Sequence, residues 1–585
     1  MFRMPDGRPS VCSVTGVGTL AIAVRRRLAP RRGKAIDRAS SISRDYRSAL
    51  AIANVYNQIT LIWPSSETGL SDAVDCGITV TEIAAMDQPI DVSPETTAAF
   101  VGRALRGPLN TPILVKSFAE FRRRFGDVWS RSSLGPAVRH FFEHGGVQLY
   151  IVRVANSARG AMICLPASGS ALVLRAVEPG STGVIRAAVD YDGIEDDNDD
   201  LFNLALQQIN PTTGLIEDQE LFSNVSFRED ADKFIGDVLM TSALARIEHP
   251  YPSHRPETTM DAGGRIGSTY VDHVQAGTDG SELSDYDLIG SRKNRTGLFA
   301  LEQIESFDLL YLPPPGKGID TGPAAILAAE MYCRERRAML ILDPRAEWET
   351  AEDALQGVRE LGYASPNMLG YYPRMRERGS DDIARPVGGA IAGLLCKLDR
   401  TYGPWQDVDQ QGLGLQRQLV PAVDVDDEGA ILMGRLGLNV ISGGRAGRAR
   451  LRGSITMGRG SEAHREFAQL PVRRFCLKVI NTIAAAARWA VFESGDDSVG
   501  ERICGQVRTY FDCLNDLGAF ADDRFIVECD AGVGARPDAD DHVVTIVLVF
   551  HPASCDGPIS LTLHVSAAGC RVSSTAFAPS IEHCA

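Results

Sequence analysis

The sequence lacks any apolar run near the ~20 residues that a helix needs to cross a bilayer, although 44% of its 585 residues are hydrophobic. Direct membrane insertion is therefore not expected, and the apolar residues must build globular cores. A basic excess is also missing: 60 Lys and Arg stand against 75 Asp and Glu, a net charge of −15. Neutralising phosphates requires a positive field, so general nucleic-acid binding is not expected. The 12 cysteines include no CxxC pair and no Cys/His group at zinc spacing. Cys504 and Cys513 fall on one predicted helix, too far apart along its axis for a disulfide. The cysteines read as buried or idle thiols. No internal repeat and no heptad pattern is present.

The opening segment is short of acids. Residues 1–35 hold one, Asp6, among arginines that include Arg25, Arg26, Arg27, Arg31 and Arg32. The apolar run Gly16–Val24 precedes these arginines, whereas a secretory signal puts its charges first. An Arg-rich, acid-poor start imitates a transit peptide; a disordered arm or an over-extended gene start is the plainer reading of residues 1–75.

Patterned sequence begins at Gly77. Ile78, Val80 and, after a slip at Glu82, Ile83 give the short β-branched alternation of a strand. Thr97–Arg103 is a more apolar strand that runs into the turn Arg106-Gly107-Pro108. Ser117 followed by Glu120 marks a capped helix over Ser117–Phe125, and a second helix, Leu134–His144, stops at Gly145-Gly146. Leu149–Val154 is a buried strand, which makes a β-α-α-β layer. Residues 157–296 loosen into short strands such as Leu201–Gln207 around the acidic loop Tyr191–Asp200, and read as an inserted, surface-exposed domain. Phe307–Leu312, Thr321–Arg334 and Ala338–Leu342 then form a βαβ unit. The C-terminal part carries helices over Val472–Glu493 and Ser498–Leu517, followed by strands at Arg524–Cys529, His542–Phe550 and Ile559–Val565.

Several stretches imitate catalytic or ligand motifs. His140-Phe141-Phe142-Glu143-His144 matches the H-x-x-E-H zinc pattern, but its phenylalanines and Val138 read better as a core face. No G-x-S-x-G elbow is present, so a serine hydrolase has no visible nucleophile. Pro315-Gly316-Lys317-Gly318 is too short for a phosphate loop, and Gly443-Gly444-Arg445-Ala446-Gly447 has no strand-to-helix context. Asp190–Asp200 does not fit calcium-loop spacing and reads as a solvated acidic loop. Neither a metal nor another cofactor is expected.

Taken in order, these segments resemble the contractile tail sheath family of phages, R-type bacteriocins and phage-derived injection systems. The resemblance runs over residues 77–566. It is carried by Gly77–Ile83, Thr97–Pro108, Ser117–Gly126, Leu134–Gly146 and Tyr150–Val154. Further on it rests on Gly277–Gly280 with Thr296–Leu301 and Phe307–Pro313. Arg385–Trp405 resembles the family's Ala-Gly helix, Val472–Phe492 its arginine-rich helix, and Phe511–Asp530 its Phe-to-Cys-Asp block. No single motif decides; their order does. The sequence departs from the pattern in residues 1–75 and in a longer tail after Val565, with Cys570 and Cys584.

The resemblance implies a mixed α/β, multi-domain tail-sheath core with an inserted outer domain and extended N- and C-terminal strand arms. Its expected divisions are a leader at 1–75, the N-terminal arm and first part of the core at 76–156 and the inserted domain at 157–296. The second core part at 297–380, a C-terminal domain at 381–566 and a tail at 567–585 complete them. It implies a structural subunit rather than an enzyme. Its partners would be further copies of itself, an inner tube protein, and baseplate and tail terminator or cap proteins. Assembly would take place in a bacterial cytoplasm, as a virion tail or a released particle. Ile78, Val80 and Ile83, with Ile559, Leu561, Leu563 and Val565, are the expected inter-subunit strands, joined by β-augmentation. Arg473, Arg474, Lys478 and Arg488 form either a solvated helix face or a surface that holds the tube by charge. A minor or capping sheath-like subunit is the alternative, and a hydrolase on an α/β core fits less well.

Overall fold

A computed structural model describes residues 14–15, 19–20 and 89–575, apart from 93–94, 196, 212, 260–269, 317, 363, 380–382, 444–446, 461–466, 493–496, 531–542 and 567–568. The expected strand Gly77–Ile83 lies outside the described residues. The first long strand, β1 (Thr97–Gly102), is apolar on both faces and buried throughout except at its first residue, as a strand covered on both sides must be. A turn at Gly107, where φ is 99°, leads to β2 (Ile113–Val115). Helix α1 (Phe118–Phe125) starts on Ser117, whose hydroxyl accepts the Glu120 N–H at 3.1 Å. It buries Phe121 and Phe125. Helix α2 (Leu134–Glu143) and β3 (Gln148–Arg153) complete the first block.

The chain then leaves the core for β4 (Met162–Ala167), β5 (Ser170–Ala176), β6 (Val184–Asp190), β7 (Leu201–Ile209) and β8 (Ile216–Ser226). Helix α3 (Ile235–Met240), β9 (Ala245–Ile247) and β10 (Val271–Asp272) follow. These strands form one sheet in the order β8-β7-β6-β10 and another in the order β9-β5-β4. Between them lies a separate apolar core around Ile163, Leu174, Phe202 and Ile235. The acidic run Tyr191–Asp200 is the connection from β6 to β7. Buried guanidinium groups hold this domain to the core. Arg153 donates to the carbonyls of Ala104 at 3.0 Å and Pro179 at 2.7 Å, and Arg103 to that of Asp279 at 2.9 Å.

After α4 (Asp285–Ile289) the core resumes with β11 (Leu309–Tyr311), α5 (Pro323–Arg336), β12 (Met339–Leu342), α6 (Ala351–Glu360) and β13 (Met368–Tyr372). There follow β14 (Met375–Glu377), α7 (Gly388–Tyr402), β15 (Leu419–Pro421), α8 (Asp427–Arg435), β16 (Asn439–Gly443) and β17 (Ala449–Arg452). The central sheet has eight strands in the order β17-β16-β13-β12-β11-β1-β3-β2. It is parallel except for the edge pairs β16–β17 and β2–β3. Strand order reverses between β1 and β11, the switch point of a doubly wound sheet. Helices α2 and α7 pack one face with little between them. A Cβ on Gly389 would lie 2.2 Å from the Ala137 carbonyl oxygen, and one on Gly393 2.3 Å from that of Phe141.

The C-terminal domain consists of α9 (Leu470–Ala486), α10 (Asp497–Asp516), β18 (Phe520–Asp530), β19 (Val544–Pro552), β20 (Ile559–Ser566) and β21 (Gly569–Thr575). The strand expectations stopped at Val565. The polar strand β21, in the region read as tail, extends the sheet to β18-β19-β20-β21. The expected single helix Val472–Glu493 is α9 followed by a 3₁₀ turn over Ala487–Phe492. No helix among the described residues is long and apolar enough to cross a membrane.

Candidate inter-subunit strands and the cationic helix

Strand β20 alternates Ile559, Leu561, Leu563 and Val565 with Ser560, Thr562, His564 and Ser566. Its four apolar side chains are buried against α9, the 3₁₀ turn and α10, in the same core as Phe475, Phe511 and Phe550. Both flanks are paired, to β19 from Val565 to Ile559 and to β21 from Ser560 to Ser566. The expectation that these residues form an inter-subunit strand is therefore corrected. β20 is an interior strand of this chain's own sheet, because β21 covers the edge it would have offered. Ile78, Val80 and Ile83, the other half of that expectation, lie outside the described residues. The sheet's outer strands among the described residues are β18 and β21, each paired on one side. Such edges carry backbone donors and acceptors that another strand can satisfy.

The cationic helix is also corrected. Arg474 is buried and donates through Nη2 to Asp399 Oδ2 on α7, the oxygen that also accepts the Thr96 hydroxyl. Arg473 donates to Asn367 Oδ1 at 2.7 Å and covers the Phe467 ring at 4.4 Å. Lys478 donates to the Glu95 carbonyl at 2.9 Å and stands 3.4 Å from Asp308. Asn481 donates to the Arg337 carbonyl at 3.1 Å. Glu95 and Thr96 precede β1, Asp308 precedes β11, Arg337 precedes β12 and Asn367 precedes β13. The polar stripe of α9 therefore lies against the amino ends of the parallel strands, as a clamp between core and C-terminal domain. Of the four cations only Arg488 is largely exposed, in a 2.8 Å pair with Glu305. Burial raises the Asp399 pKa while Arg474 and the Thr96 hydroxyl oppose the shift. A charge kept in such a place needs its partner.

Asp399 went unnoticed in the sequence, although an acid directly after Ala390–Leu398, a run whose one charged residue is Lys397, is a signal of a buried partner. A second tie comes from Arg337, whose guanidinium donates to the Cys570 carbonyl of β21. In the H-x-x-E-H stretch, His144 Nδ1 donates to the His140 carbonyl at 2.7 Å and Nε2 accepts the Gln416 N–H at 3.1 Å. Both His144 nitrogens thus serve the packing of α2. Among the described residues no group of His, Cys, Asp and Glu is placed to hold a metal.

Compared with solved structures, the chain is similar to a sheath tail protein from Listeria innocua. The TM-score is 0.57 at 11% identity, with 83% of this chain and 98% of that chain covered. A sheath tail protein from Desulfitobacterium hafniense gives 0.48 at 12% identity, covering 84% and 100%. The helical sheath of the anti-feeding prophage in its contracted state gives 0.46 at 15% identity, covering 82% and 96%. No known sequence family and no curated protein matches the chain. The Listeria likeness takes in nearly the whole of that chain, and it establishes that this chain has a tail-sheath fold, with α/β core and C-terminal domain in one polypeptide.

Proposed function

We propose that this chain is a structural subunit of a contractile tail sheath. It polymerises helically around an inner tube, and the lattice shortens to drive that tube through a target envelope. The observation that carries this reading is the end-to-end fold likeness to the Listeria innocua sheath tail protein. The role is mechanical, not catalytic. Each subunit has to contribute only a few kcal/mol to contraction, because interfaces in a lattice switch together (~1–3 kcal/mol is a typical coupling between sites).

Three features support the reading. The α9 clamp fastens the C-terminal domain to the core, so the two can move as one body in a changing lattice. The outer strands β18 and β21 offer edges for a neighbour's arm. The segment Gly77–Ile83 has the alternation such an arm needs. Partners would be further copies of this chain, the tube protein, and baseplate and terminator proteins. The tube would meet a surface other than the inward stripe of α9. Assembly in a bacterial cytoplasm and release as a virion tail or free particle follow from the same reading.

Negative-stain electron microscopy tests it, on the purified chain starting at Met1 and on a form starting at Leu70. Hollow striated cylinders from either form are the expected result. Cylinders only from the shorter form would make residues 1–69 an assembly brake. If both forms stay monomeric with a tube protein present, the sheath reading gives way to a minor or capping subunit.

A further inference from the structure

The two ends of the central sheet are finished differently. Helix α9 closes the amino ends, whereas a cavity of about 590 Å³ opens at the carboxyl ends of β11, β12 and β13. Its volume falls in the range of small-molecule sites. Carboxyl ends of parallel strands next to a switch point are where α/β sheets take ligands, because the loops diverge there. One wall is a single face of α2, formed by Ser133, Pro136, Ala137 and His140. The facing walls are the segments after β11, β12 and β13, including Pro314, Trp348 and Pro373.

One cation on these walls, Arg385, has no side-chain partner among the described residues. His140 lies beneath the α2 wall: its ring is buried, and its Nε2, closed off from solvent, has no hydrogen-bond partner among the described residues. The nearest acid, Glu377, is 3.8 Å from it and is held by Arg139 at 3.0 Å. Arg385 lines the cavity, and its guanidinium makes no hydrogen bond or ion pair among the described residues. Arg374, by contrast, is committed to Asp320 and to the Pro344 carbonyl. Arg385 stands close enough to His140 for its charge to oppose protonation of the ring. The same wall carries the N-terminus of the ten-residue α2, where Ser133 makes no side-chain capping bond and the Ser132 hydroxyl accepts the Leu134 N–H at 3.1 Å. Helix N-termini favour negative charge. Trp129, half-buried with the Arg103 guanidinium 4.6 Å over its ring, and the buried Trp348 add aromatic lining.

We propose that this cavity binds a small organic anion, a carboxylate or phosphate monoester on a flat apolar body. The anionic oxygens meet the Arg385 guanidinium, and the body lies along the apolar wall beside Trp129. The site is independent of the sheath reading and lies at the other end of the sheet from the α9 clamp.

The test titrates the full-length chain with 2-naphthoate and, separately, with phenyl phosphate, by calorimetry and by tryptophan fluorescence. Neutral 2-naphthamide and inorganic phosphate are the comparators. Saturable binding of one anion per chain is expected, with 2-naphthamide and inorganic phosphate at least tenfold weaker. Which anion binds more tightly separates a carboxylate ligand from a phosphate one. Arg385→Ala should weaken binding by roughly tenfold to a hundredfold, as expected for losing a charged hydrogen bond, and Arg385→Lys should restore part of it. Ala422→Trp, at the cavity wall, should abolish binding without lowering the melting temperature of the chain. Equal binding of naphthoate and naphthamide would overturn the proposal. So would no binding of either anion, or an Arg385→Ala variant that melts and binds like the parent.

Discussion

Arg474 on α9 reaches Asp399 on α7 across 75 residues of sequence, and both side chains are almost fully removed from solvent. The pair sits where the C-terminal domain meets the amino ends of the parallel sheet. Removing one member strands the other. Arg474→Met should therefore destabilise the chain by about 3–5 kcal/mol, and the double variant with Asp399→Leu should recover much of that loss. Urea unfolding of the four forms measures this directly. If Arg474→Met melts like the parent while losing only its association with a tube, the clamp assignment is wrong.

The contact between α2 and α7 depends on missing side chains. A Cβ on Gly393 would meet the Phe141 carbonyl oxygen at 2.3 Å, and that oxygen belongs to backbone, which cannot swing aside. Gly393→Ala should cost at least the ~1–3 kcal/mol of an overpacked core, seen as a lower thermal midpoint. Gly505 on α10 is the control, since nothing lies within 4 Å of its missing Cβ. Gly505→Ala should stabilise the chain by about 0.5–1 kcal/mol through helix propensity.

Burial pulls the His140 pKa down from 6.5 to about 3. A depressed pKa means that the unfolded chain binds the proton more readily. Stability from this group is fully present above pH 6.5 and is lost as the pH falls toward 3. Unfolding free energy should therefore rise with pH in that window. In His140→Gln the slope should be shallower by up to one proton, and an unchanged slope would show that His140 is not the group responsible.

Arm and interior strand should respond differently to mutation. Deleting residues 77–83 should leave the melting curve of the chain intact and stop polymer growth. Leu561→Asp places a charge in the buried core of the C-terminal domain, and should abolish cooperative unfolding rather than merely block assembly. Sedimentation velocity together with circular dichroism separates the two outcomes. A well-folded Leu561→Asp monomer would restore β20 as an exposed arm.

The sequence by itself determined the local elements. The Ser117 cap, the phenylalanine spacing of α1 and the doubly apolar Thr97–Gly102 are signals contained within a few residues, and they resolved into helix and buried strand because periodicity is a local property. The order of those elements also made the tail-sheath likeness legible. Tertiary structure alone decided what α9 faces. Arg473, Arg474 and Lys478 look like a solvated stripe until Asn367, Asp399 and Asp308 arrive from segments 106, 75 and 170 residues away. Charge partners at that separation leave no trace in a window of neighbours. The role of β20 was hidden for a similar reason. Its apolar alternation states that one face is buried, but whether an edge is free depends on the polar strand Gly569–Thr575, which has little apolar pattern of its own and is ordered by backbone pairing with β20. The cavity formed by α2 and three strand ends exists only once the parallel sheet has brought its carboxyl ends together, which sets His140 and Arg385 on walls of the same space.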